Sequence, residues 1–428
     1  MKDYIKNQRK SRSNVIRQTN QRIRRLKREN KRQMNYLLDE TALNGAKDAI
    51  NNSLELERDD FLGRDNYQRV DDPAFRGYRN GYSQRTVGLG CGQVSINMPR
   101  VSNSPEPFES TILPPYLRTS QKVLDTLPQL YLYGISGGDF RPALKALLGE
   151  KAVLSDSSVA RLRQYFYDQY FTFHNQPLDS HYAYVYADGV YLSVGLTCEC
   201  LGILVVVGVN ENGAKRLLAM LPGYRESYEN WRDVFRNLGE RGVKWIGLII
   251  GDGIPGLWRA ANETFPEALN QRDWMHKIRN VLEKLPRDKR FQARAYDDLL
   301  KIYNAQTREE ANQGFLRFAK KYEAYPTAVA CLLKDRKVLT TYFSFPKEHW
   351  CHIKTTNPVE STFAPIRVRL DKAKRLMNEV SALGLVYQLM LKRQARWQRL
   401  NYPELAAAVI AGVKYRNGIE IRTRKEIA

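Results

Sequence analysis

The 428-residue sequence has only five cysteines, Cys91, Cys198, Cys200, Cys331 and Cys351. Their scatter and odd number argue against a disulfide framework and fit a reducing compartment. Long apolar runs are missing too: the longest, residues 201–209, is far short of the ~20 residues that cross a bilayer. No apolar core follows the basic N-terminus as a secretion signal would require, so a cytoplasmic protein is expected. Acidic residues are in deficit, 46 Asp and Glu against 68 Lys and Arg, giving a formal charge of +22 and a pI near 9.7. Such a balance is the electrostatic footprint of a polyanion binder, with nucleic acid the first partner to consider. Residues 1–35 carry 13 Lys/Arg and 2 Asp/Glu, half of the whole excess.

What is present divides into regions. Residues 1–35 form a basic arm with too few apolar side chains to fold against a core, expected as a loose helix or disordered chain whose cations contact phosphates. Residues 36–178 are expected to be a mainly helical DNA-binding region. Within them YRNGYSQRTVGLGCGQVSINMPRV suggests a hairpin closing on Pro99. From about 119 to 172, three helical periods with glycine-containing breaks have the form of a helix-turn-helix, with Ser157, Arg161 and Gln164 opposite the apolar stripe of the third helix. An ordinary helical bundle with a wet outer face fits that pattern equally.

From residue 182 to 220 the composition becomes β-rich in three runs: YAYVYADGVYLSVGL, CLGILVVVGV and AKRLLAML. An amphipathic helix at about 228–238, an apolar strand within KWIGLIIGDG (residues 244–253) and a helix near 257–265 follow. Three strands, then helix, strand and helix, is the element order of an RNase H-like mixed sheet. Helical, charge-rich residues at about 281–347 look inserted. Residues 355–376 and 381–400 read as two helices, the second opening a helical C-terminal segment, 377–428. The fold class expected is thus α/β: an RNase H-like catalytic domain over 179–376 with an all-helical insertion.

Asp188 falls inside the first of these strands, where an uncompensated charge is costly. Asp252 follows the apolar strand, either as a turn residue in Asp-Gly or at a strand's carboxyl end facing a crevice. If the two strands are neighbours the carboxylates lie side by side, and a hard divalent cation relieves their repulsion. Mg²⁺ or Mn²⁺, working as a pair ~3.5–4 Å apart, is the expected cofactor of phosphoryl transfer by such a set. Glu360, in TTNPVESTFAPIRVRLDKAKR, supplies a third acid. Its position three residues after Asn357 also fits a capping box. Arg367, seven residues on, returns to the same face, although Pro365 interrupts the helix between them.

The blocks ADGVYLSV, LIIGDGIPGLWRAANETFPEALNQRDWMHKIRNVLEKLP and HWCHIKTTNPVESTFAPIRVR resemble the Mutator-type transposases of bacterial insertion sequences, over most of the chain from about Arg79 to Asn401. The resemblance implies a DDE transposase with Asp188, Asp252 and Glu360 as metal-binding triad and Arg367 touching the transposon end. It further implies double-stranded DNA as partner, a homodimer or higher assembly, and a bacterial, nucleoid-associated location. Its function would be to bind terminal inverted repeats, cut at the element's ends and join them to target DNA. A nuclease or resolvase on the same fold, and a domesticated transposase acting as a regulator, are the alternatives. The family commonly has Cys-x-x-His after the second acid; here the matching positions are Asp273 and His276, and an aspartate cannot replace a soft thiolate ligand for zinc. His276, Lys277 and Arg279 are expected to contact DNA or support the site, and Asp273 is a possible additional carboxylate near the metals. Cys198, Cys200, His349, Cys351 and His352 match no closed tetrahedral spacing for zinc.

Overall fold

The computed structural model describes residues 2–64, 76–133, 142, 143, 145, 156–193, 200–223, 227–372 and 379–421. Contacts divide the chain into two compact units, Met1–Val159 and Ala160–Ala428.

In the first unit, α1 (Lys2–Leu62) is one continuous helix, so the basic arm runs into the next segment without a break in secondary structure. Its Lys, Arg, Gln and Leu content suits a helix, and Leu54, near its end, gives it an anchor. Leu54 packs with Val87, Val94, Ile96 and Leu113 in a small core. Val87, Val94 and Ile96 belong to the expected hairpin, β1 (Tyr78–Leu89) and β2 (Gly92–Ser102), which pair antiparallel around Gly90 and Cys91. α2 (Gln121–Leu132) buries Val123, Leu127 and Tyr131 of the apolar face Val123, Leu124, Leu127 and Tyr131 that its period suggests, the side chain of Leu124 lying outside the described residues. α3 (Asp156–Asn175), which from Ala160 on belongs to the second unit, corresponds to the third helix of the expected helix-turn-helix. The middle helix, over about 140–147, lies mostly outside the described residues.

The second unit is organised on a five-stranded mixed sheet of order β5-β4-β3-β6-β7. Its strands are β3 (His181–Ser193), β4 (Cys200–Val209), β5 (Lys215–Pro222), β6 (Trp245–Gly251) and β7 (Leu269–Arg272). β4 runs antiparallel to β3 and β5, whereas β6 is parallel to β3 and β7 parallel to β6. Near-continuous apolar strands follow from burial on both faces. One face packs Val185, Ala187, Leu204, Val206 and Ile249 against α4 (Tyr228–Glu240) and α5 (Pro255–Thr264), through Trp231, Val234, Phe235, Leu257 and Ala260. On the other face Tyr184 and Tyr186 reach the segment that precedes the last acid. The Tyr184 hydroxyl meets His349 Nδ1 at 2.7 Å, and that of Tyr186 donates to the His352 carbonyl at 3.1 Å.

Between β7 and the last acid come α6 (Trp274–Leu282), α7 (Lys289–Tyr303), α8 (Arg308–Lys321) and α9 (Pro326–Leu333), then short helical turns through Ile353. The predicted insertion is therefore helical throughout, seated on α6 by Trp274, which stacks on Phe315. α10 (Asn357–Lys372) continues through Pro365, and α11 (Glu379–Gln394) lies on β5, where Gln394 accepts from the Leu217 amide. The C-terminal segment adds α12 (Glu404–Ile410) and a hairpin of two-residue strands, Tyr415–Arg416 and Ile419–Glu420, absent from the expected all-helical tail.

Candidate functional site

The register of β3 and β6 decides where the first two acids stand. Tyr186 pairs with Ile250 in parallel; two residues further on, Asp188 continues in β3 while Asp252 stands just past the end of β6. Asp188 shares the face of Tyr184 and Tyr186, because alternate residues of a strand point the same way. It is 8% exposed. Asp252 begins the loop after β6, where the Ile254 amide donates to Oδ1 at 3.2 Å. Burial pushes its carboxyl above the ordinary aspartate range, against the pull of that amide and of the His276 and Arg272 charges.

Glu360 comes from the first turn of α10. With Asp188, Gly189, Val190, His276, Arg279, Asn357, Ser361 and Arg367 it lines a cavity of about 580 Å³. Asp252 is not among the residues lining it; it stands at the end of the adjoining strand. His276 Nε2 lies 3.0 Å from Glu360 Oε1. Behind this contact Asp273, 1% exposed, performs two tasks. Its Oδ1 caps α6 by accepting from the His276 amide at 2.7 Å. Its Oδ2 accepts from the amide and hydroxyl of Thr356, at 2.5 and 3.0 Å, just before α10. Asp273 thereby ties the helix bearing His276 to the helix bearing Glu360.

The expected DNA-contacting residues separate. Arg279 and Arg367 are exposed and line the cavity. Lys277 does not fit that expectation. Its ammonium is fully buried, donates to the Cys331 carbonyl at 2.7 Å and pairs with Asp335, because the α6 face that carries it is the one packed under the insertion. On α3, Arg161 and Gln164 are exposed, with the Gln164 amide donating to Asp168 one turn on at 2.7 Å. The side chain of Ser157 lies outside the described residues.

Asn357 was read from the sequence only as a capping residue and Ser361 was not singled out, yet positions 357, 360, 361 and 367 recur on one helical face, a signal that would have placed both at the site. Nothing in the sequence pattern pointed to Arg272, Thr356 or Asp335.

Among the described residues no group of three or more His, Cys, Asp or Glu is gathered as a metal cage. Of the thiol and imidazole groups considered for zinc, Cys198 and the side chain of Cys200 lie outside the described residues, and His349 is engaged by Tyr184 and by the Tyr402 carbonyl at 3.2 Å. Asp188, Asp252 and Glu360 nevertheless offer the all-carboxylate oxygen chemistry that suits a hard divalent cation, with Glu360 turned toward His276.

Residues 16–400 match the family described as Transposase, Mutator family. The chain belongs to that family. Among its relatives, the transposase for insertion sequence element IS6120 of Mycolicibacterium smegmatis is 40% identical over 69% of this chain and 91% of its own length. The transposase for insertion sequence element IST2 of Acidithiobacillus ferrooxidans is 40% identical over 51% of this chain and 73% of its own. That for insertion sequence element ISRM5 of Rhizobium meliloti is 27% identical over 88% and 90%. The match takes in Asp188, Asp252 and Glu360 together with the helical insertion between the last two. No helix among the described residues is long and apolar enough to cross a membrane.

Proposed function

We propose that this Mutator-family chain is a DNA transposase of the DDE type, with an RNase H-like catalytic core in which Asp188, Asp252 and Glu360 are the acid triad. One observation carries the reading: a strand acid and a helix acid from distant parts of the chain share one cavity with Arg279 and Arg367, while Asp252 follows the end of the strand paired with the one that bears Asp188. In this reading double-stranded DNA is the substrate, the N-terminal helical region with its helix-turn-helix recognises terminal inverted repeats, and the handling of two ends together calls for a homodimer or larger assembly.

The chemistry asked of the site is hydrolysis at the transposon end followed by attack of the freed 3′-hydroxyl on target DNA. Both are phosphoryl transfers without a covalent enzyme intermediate, so no Ser, Tyr or Cys nucleophile is needed. Mg²⁺ or Mn²⁺, held by the three carboxylates as one or two ions, would supply activation of the attacking oxygen and stabilisation of the leaving one. The remaining work falls to the chain. Arg279 and Arg367 hold the phosphate backbone across the cavity mouth, a task suited to guanidinium forks. His276 keeps the Glu360 carboxylate aimed inward, the Asp188 carboxylate is fixed by strand pairing, and that of Asp252 is held by the loop after β6.

A strand-transfer assay with pre-cut inverted-repeat ends, target DNA and Mg²⁺ tests the reading. Joined product is expected from the wild type and none from Asp252→Asn. Cutting without joining would favour a nuclease or resolvase, and undiminished transposition by Asp252→Asn in cells would favour a DNA-binding regulator.

A further inference from the structure

Outside the cavity, among the described residues, a group of buried charges surrounds Asp335, in the turn that follows α9. Its Oδ2 lies 3.1 Å from Arg272 Nη1 and also pairs with Lys277 Nζ. Arg272 ends β7, its side chain 7% exposed, and that of Lys277 is fully buried. One anionic group thus holds two cations out of water, an arrangement that costs desolvation and adds little net stability compared with an apolar core. Its geometry has a different product. The same Arg272 Nη1 donates to the Gly253 carbonyl at 3.1 Å. Gly253 directly follows Asp252. At φ +82° it occupies the left-handed region, and a Cβ there would fall 2.0 Å from Arg272 Nη1 and 2.6 Å from Cζ. The glycine is therefore needed twice, for its backbone angle and for room for the guanidinium.

We infer that Asp335 and Arg272 form a strut that positions Asp252, so that the helical insertion is a structural part of the acid site. Three contacts then define the loop. The Asp273 amide donates to the Gly251 carbonyl at 2.7 Å, Arg272 grips the Gly253 carbonyl, and the Ile254 amide fixes the Asp252 carboxylate between them. Two of the three come from the end of β7, and the one side-chain contact among them is oriented by an acid from the insertion. Arg272 and Asp335 are positioning residues in this scheme, since neither lines the cavity. Lys277 shares Asp335 but makes no contact with the loop, which provides an internal control.

The inference rests on Asp252 being a metal ligand, and two readouts separate its failure from the failure of that reading. The first is direct Mn²⁺ binding to the full-length chain, by calorimetry and by the rise in melting temperature. Loss of a positive charge near the site would by itself tighten cation binding, whereas loss of positioning loosens it, so the sign of the change discriminates. Arg272→Met is expected to raise the Mn²⁺ midpoint by about tenfold or more, the scale seen when groups supporting metal ligands are removed. Lys277→Met, which deletes a comparably buried partner of Asp335, is expected to leave the midpoint within about twofold of wild type. The second readout is hydrogen exchange of the Ile254 amide without metal, expected to quicken in Arg272→Met and to stay unchanged in Lys277→Met. An Arg272→Met midpoint equal to or below the wild type, or equal effects of the two variants on both readouts, overturns the strut. If wild type shows no response to Mn²⁺ the triad reading fails, and the exchange comparison still decides whether Arg272 holds the loop. Should Arg272→Met not fold, Arg272→Lys carries the same two measurements with the same outcomes.

Discussion

Of the three acids Asp188 stands in a strand, Asp252 just past the end of its neighbour and Glu360 on a helix, and the two halves of the site are held by different forces. Asp188 is located by backbone pairing inside a sheet covered on both faces, and Asp252 by the loop that leaves β6 two residues after Ile250, the register partner of Tyr186. Glu360, its side chain 38% exposed, is located by side-chain hydrogen bonds: His276 at its carboxylate and Asp273 at Thr356. A sheet register shifts only by whole residues, with large loss of packing, whereas a hydrogen-bonded helix start can move by fractions of an ångström. The strand half is the fixed reference, and the helix half is the adjustable one.

Changes to the strand half should therefore be the most severe. Asp188→Asn and Asp252→Asn are each expected to lower end cleavage by about a thousandfold or more, roughly 4 kcal/mol of barrier, measured in single-turnover assays. Asp252→Asn should nonetheless melt no lower than wild type without metal. The raised pKa of Asp252 means that its charged form is disfavoured in the folded protein, a cost borne above the folded pKa and relieved as pH falls through it. An asparagine keeps the acceptor for Ile254 without the charge. A marked loss of stability in this variant would show that the strand half depends on the carboxylate itself.

Next in size is Gly253→Ala, in which the left-handed angle and the clash with Arg272 act together. About 2–4 kcal/mol of destabilisation is expected, from strain plus a displaced buried ion pair, readable by urea unfolding. The helix half should respond more gently. Asp273→Asn retains one acceptor oxygen where Asp273 uses two, costing ~1–3 kcal/mol through the Thr356 contacts. Cleavage should fall with it by about tenfold to a hundredfold, the usual scale for a supporting group. If Asp273→Asn were as inactive as Asp252→Asn, the two halves would not differ as described.

The smallest effect concerns pH. Burial lowers the pKa of His349, which underlies Tyr184 on the strand half. The neutral ring is favoured in the folded state, so its contribution is complete above the ordinary imidazole value near 6.5 and is lost as pH falls through the lower folded value. Up to about 1 kcal/mol of stability should disappear per pH unit across that interval. His349→Gln should flatten this slope in thermal melts between neutral and mildly acidic pH, while leaving Mn²⁺ binding at neutral pH unchanged if the strand half is as rigid as proposed.

The strands β3 to β6 and the helices α4, α5, α10 and α11 were readable because their apolar periods match their burial. β7 was not, since LNQR is short and polar. Its Gln271 is wholly buried only because the insertion satisfies it, the side chain donating to the Leu339 carbonyl and accepting from the Tyr342 amide. Lys277 misled for a related reason: in a basic chain a lysine after His276 reads as a DNA contact, and only Asp335, far along the sequence, makes its burial tolerable.

The sequence alone determined which residue types are available and on which elements: acids within or after apolar strands, a glutamate at a helix start, arginines at matching helical phase. Those are local properties, written in period and composition. Tertiary structure decided which of them meet. The placing of Asp252 at the end of the strand beside that of Asp188, the joining of Asp273 to Thr356 and the reach of Asp335 to Arg272 depend on strand register and on packing between segments distant in sequence, and no local pattern specifies either.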